Sequence, residues 1–101
     1  MIQKSQKKQG GVALRATLPP LAATQIDTIS AEIEAHKGHP VHVFRRDNRI
    51  IEIAAFQIGE WIGSVAGSPN GPGLIAMDES GQVIYRGRSI QAAVRSALHF
   101  E

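Results

Sequence analysis

The chain has 101 residues, 43% of them hydrophobic, and a formal net charge of +2. One hydrophobic core suffices at that length, and this apolar share supports it without a metal or disulfide staple. With no cysteine, disulfides, thiol nucleophiles and cysteine-ligated zinc are excluded. No apolar run nears the ~20 residues that span a bilayer, and the start "MIQKSQKKQGG" has no apolar segment of an export signal behind it. A soluble, cytoplasmic protein without membrane contact is expected.

Residues 1–11, rich in Lys, Gln and Gly, carry no apolar period and read as a flexible basic arm. Lys4, Lys7 and Lys8 supply much of the positive excess, leaving residues 12–101 as a single, nearly neutral α+β domain. "VALRAT" (12–17) alternates apolar and polar positions as a short edge strand does, and Pro19 and Pro20 stop it. Proline suits the first turn of a helix, and Ala22, Ile26, Ile29, Ile33 and His36 then recur at helical spacing, so a helix over about 20–37 is predicted. Thr24 with Asp27 offers a weaker capping pair, and Gly38 suits the left-handed C-cap.

Five extended runs follow: "VHVFRR", "RIIEIAAF", "GEWIGSVAG", "GLIAMD" and "QVIYRG". Short connections make neighbours antiparallel; Asp47-Asn48 and Ser80-Gly81 are tight-turn signals, and 67–73 is a longer loop. Residues 41–53 and 74–86 share one pattern, an apolar run, a polar turn and another apolar run, which predicts two similar hairpins flanking the Trp61 strand. In "RSIQAAVRSALHF", Ser89 caps a helix whose apolar face is Ile90, Val94, Ala97 and Leu98. The predicted architecture is N-terminal helix, five-stranded antiparallel meander, C-terminal helix. Several strands are apolar on both sides, more than two helices cover; the sheet therefore either curls into a small SH3-like barrel or is covered by a partner, for which a homodimer is the first expectation.

His36, His39 and His42 are evenly spaced in sequence but fall on a helix end, a turn and a strand, which supplies neither the i, i+4 helical pair nor the i, i+2 strand pair of a metal site. No metal or other cofactor is expected. Asp78 and Glu79 are adjacent in a turn and point apart, and no nucleophile has a recognisable base, so a non-enzymatic binding protein is expected, with a small enzyme as the contrasting class. The glycines of "IGEWIGSVAGSPNGPG" lack the lysine and following helix of a phosphate loop.

Arg45, Arg46 and Arg49 bracket the turn "RDNR", placing guanidinium forks that suit phosphate or carboxylate at a hairpin tip, with Asp47 partly neutralising them. Nucleic acid, held through its phosphates by Lys4, Lys7, Lys8, Arg45, Arg46 and Arg49, ranks first as partner. A protein target gripped by the same arginines, with Trp61 and Phe44 as aromatic anchors, ranks second. Trp61 reads by default as core, and otherwise as one of these anchors.

Overall fold

The computed structural model describes residues 17–36, 41–57 and 59–99. Helix α1 (Ala23–Ala35) precedes strands β1 (Val41–Arg46), β2 (Arg49–Gln57), β3 (Glu60–Gly67), β4 (Leu74–Asp78) and β5 (Val83–Gly87), and helix α2 (Ile90–Ala97) closes the order. The strands form one antiparallel sheet in sequence order, β1-β2-β3-β4-β5. β1 and β5 are its two edges, so the barrel alternative is corrected to an open sheet. The basic arm with Lys4, Lys7 and Lys8, residues 12–16 of the first extended run, and Gly38 and His39 lie outside the described residues.

Sheet register explains the burial. Val43, Ile53, Val65, Ala76 and Tyr85 stand side by side across the five strands, and all belong to the core under the helices. Ile29 and Ile33 of α1 and Ala93, Val94, Ala97 and Leu98 of α2 complete that core. On the opposite face the next row is Phe44, Glu52, Ala66, Ile75 and Arg86, and a second cluster joins Ala66, Ile75, Met77 and Ile51 to Leu18. The run "RIIEI" breaks strict alternation because of a bulge opposite Phe44 and Arg45, which lets Ile50 face the first core and Ile51 the second. Ala54, Ser64, Ala66, Ile75 and Met77 are all buried within the single chain. The uncovered sheet that motivated a dimer is therefore not present at these residues.

Helix α1 starts three residues later than the sequence suggests. The Leu21 N–H donates to the Ile50 carbonyl at 2.9 Å, holding the chain after Pro19-Pro20 extended against β2. The N-cap is Ala22, whose N–H donates to Gln25 Oε1 at 2.9 Å, and the Thr28 hydroxyl donates to the Thr24 carbonyl at 2.8 Å. The expected Thr24–Asp27 cap is thus replaced by half of a capping box, since alanine offers no side-chain acceptor. Ser89 does cap α2, its hydroxyl accepting from the Ala92 N–H at 3.1 Å. Ser89→Ala is expected to cost about 1 kcal/mol, read as a fall in Tm of roughly 4–8 °C in a thermal melt.

Two turns show why their residue types were legible. Asp47 and Asn48 take φ of 55° and 67°, the left-handed pair of a two-residue hairpin loop. At the other hairpin Asp78 Oδ1 accepts from the Ser80 N–H (2.9 Å), the Ser80 hydroxyl (2.7 Å) and the Gln82 N–H (3.0 Å). That carboxylate shapes the turn. Among the described residues no helix is long and apolar enough to cross a membrane.

Candidate nucleic-acid interface

The strand directions place β1–β2, β3–β4 and β5–α2 connections at one end of the sheet, and β2–β3 and β4–β5 connections at the other. Arg45, Arg46 and Arg49 surround the β1–β2 turn at the first end. Arg86 shares the row of Phe44 and Glu52, and Arg88 follows the last residue of β5, so both reach the same end from the far edge. Five of the six arginines among the described residues gather there; the sixth, Arg95, lies on α2. All of them but Arg46 are exposed, and Arg46 is half-buried. Asp47 is the acidic residue within the turn, while Glu60, Asp78 and Glu79 occupy the opposite end. The molecule therefore carries a field along its strands, positive at the arginine end.

Arg86 and Arg88 were missed in the sequence because they are separated from Arg45 by about 40 residues, and only the register aligns them. The matching of 41–53 with 74–86 gave no such signal, since its two hairpin turns point to opposite ends of the sheet and Arg86 corresponds there to Ile53.

Close backbone approaches tie this end together. The loop 68–73 is closed by the Ser68 N–H donating to the Gly73 carbonyl at 3.0 Å. Gly73 has φ +112°, and a Cβ on it would come within 2.7 Å of the Gly87 carbonyl oxygen and 3.6 Å of Arg88 Cγ. On the other side, a Cβ on Gly67 would touch Pro19 and Leu21, and Leu21 is bonded to Ile50, the neighbour of Arg49. The loop is thus seated between the two arginine groups.

Trp61 is placed elsewhere. It pairs with Phe56 near the far end of β2, and Arg49 lies seven residues along that strand, about 23 Å away at the usual rise. The indole stacks on Phe44 at 5.1 Å and on Phe56 at 6.5 Å between centroids, and His42 meets both phenylalanines edge-on at 5.2 and 5.8 Å. These four rings form one cluster on the sheet face opposite the helices, with Phe44 as the member nearest the arginine tip. Trp61 thus stands apart from the arginines along the sheet, half-buried among protein rings.

The three described histidines do not converge. His36 lies 3.8 Å from Glu32 on α1, His42 sits in the ring cluster, and His99 Nε2 lies 2.7 Å from the Ile62 carbonyl oxygen and 3.5 Å from Glu79. Among the described residues no three His, Asp or Glu side chains are grouped to hold a metal ion. No family model matches the chain, and no curated protein or solved structure matches it either.

Proposed function

We propose that this is a non-catalytic nucleic-acid-binding protein that grips the phosphate backbone with the arginine end of its sheet. The observation supporting this is the gathering of Arg45, Arg46, Arg49, Arg86 and Arg88 at one end, from both edges of the sheet. Guanidinium groups match phosphate oxygens bidentately and stay charged at any working pH. Lys4, Lys7 and Lys8 add further phosphate contacts, and cytoplasmic action as a monomer or homodimer is compatible with this surface. An acidic protein is the rival partner, using the same arginines with Phe44 and Trp61. The ring cluster favours it less, because Trp61 already stacks on two phenylalanines.

The test is binding of the full chain to labelled nucleic acid across a salt series. Five phosphate contacts give a log–log slope of about −4.5 on a duplex, a loss on the order of 500-fold between 50 and 200 mM salt. Deleting residues 1–10 is expected to flatten the slope, and Arg45→Ala with Arg49→Ala to flatten it further. Absence of binding at low salt, or a slope that neither change moves, returns the assignment to a protein partner.

A further inference from the structure

The loop 68–73 is the one element between the two arginine groups, and its chemistry differs from theirs. Its sequence, Ser-Pro-Asn-Gly-Pro-Gly, carries no charge. Two prolines preset the backbone, and the loop is closed on itself and braced by Gly67 and Gly73. Asn70, Gly71 and Pro72 are exposed at its tip, and Asn70 is the exposed side chain there with both a donor and an acceptor. An uncharged, preformed tip flanked by cations is poorly suited to phosphate and well suited to the floor between two phosphate walls.

The dimensions agree. Arg49 on β2 and Arg86 on β5 are three strand positions apart in the sheet, about 14 Å at the usual strand separation. The major groove of B-form DNA is about 12 Å wide, and asparagine pairs with the adenine edge it displays. A-form RNA presents a major groove that side chains cannot read. Single strands are bound by stacking their bases on aromatic side chains, whereas the rings here are packed on one another.

We propose that loop 68–73 enters the major groove of double-stranded DNA, with Arg45, Arg46 and Arg49 on one phosphate wall, Arg86 and Arg88 on the other, and Asn70 reading base edges. This rests on the nucleic-acid reading above and adds its substrate and its specificity residue. The experiment selects preferred duplexes from a randomised pool with the full chain. It then compares selected and scrambled duplexes, and single strands of the same sequence, against wild type, Arg86→Ala/Arg88→Ala and Asn70→Ala. The arginine pair is expected to reduce the slope by about 0.9 for each phosphate that is no longer neutralised. Asn70→Ala is expected to reduce discrimination between selected and scrambled duplexes at least about five-fold while leaving the slope in place. Tighter binding to single strands, a pool that yields no preference, or discrimination untouched by Asn70→Ala overturns the inference while leaving phosphate binding intact. Failure to bind any nucleic acid overturns both.

Discussion

Replacing Gly63 with alanine is expected to lower stability by about 3 kcal/mol, a fall in Tm of roughly 12 °C or more for a chain of this size. A Cβ at that position would overlap the Ala97 carbonyl oxygen and lie 2.8 Å from its carbon and 3.0 Å from the Ala97 Cα. All three are backbone atoms of α2, so no side-chain rotation relieves the overlap. The helix would have to lift from β3, loosening Val94, Ala97 and Leu98 from Val65 and drawing His99 away from the Ile62 carbonyl. Gly59→Ala is the matched control. Its φ of +76° makes alanine unfavourable, but nothing lies within 4 Å of the added carbon, so a cost of about 1 kcal/mol is expected from the backbone alone. Urea unfolding followed by Trp61 fluorescence compares the two, and equal losses would show that α2 is not seated this closely.

The contrast between these glycines also marks where the sequence was legible. Strand positions were readable because β-branched and aromatic runs alternate with turn residues, and Asp47-Asn48 tolerates the left-handed conformation that a two-residue hairpin demands. Ser89 was readable as a cap because the helical period begins one residue later. Gly63 gave no such sign, since its need arises from a helix more than 30 residues away. The same holds for Arg86 and Arg88, whose place beside the hairpin arginines depends on a register across five strands. The second sheet face misled for a related reason. Apolar content on both sides was visible in "RIIEIAAF", but the packing of Leu18 against Ile51, Ala66 and Ile75 is a tertiary fact.

Bulges set which way the arginine end faces. In β1–β2 the extra residue on β2 restores the pairing of Arg46 with Arg49 after two consecutive residues, Ile51 and Glu52, have turned to the face opposite the helices. Without it, the tip would rotate its guanidinium groups to the other side. At the opposite edge, a second shift between Ala76 and Met77 leaves Ile84 as the exposed large apolar side chain, at 42%. A bulged, arginine-flanked edge is a poor template for another strand, so self-association through β5 is disfavoured by like charge as well as by shape.

Ser64→Ala is expected to cost about 2 kcal/mol, more than its small volume suggests. Ser64 and Glu52 are both fully buried, and the Ser64 hydroxyl donates to Glu52 Oε2 at 2.5 Å. They sit diagonally on adjacent strands, since Glu52 pairs with Ala66 and Ala54 with Ser64, on the face opposite the helices. Alanine keeps the strand and nearly the same packing but withdraws a donor from a carboxyl group that water does not reach, and the resulting loss reflects the desolvation cost of that group. Thr28→Ala serves as comparison: its hydroxyl bonds to Thr24 on the exposed side of α1, where removal stays within about 0.5 kcal/mol. Chemical denaturation of both variants decides the matter, and a Ser64→Ala loss no larger than that of Thr28→Ala would show that the pair contributes little. Because Glu52 lies in the same row as Phe44 and Arg86, one step from the arginine tip, the variant also separates scaffold from surface. Its stability should fall while the salt slope of nucleic-acid binding, set by the arginines, keeps its wild-type value under conditions where the protein remains folded.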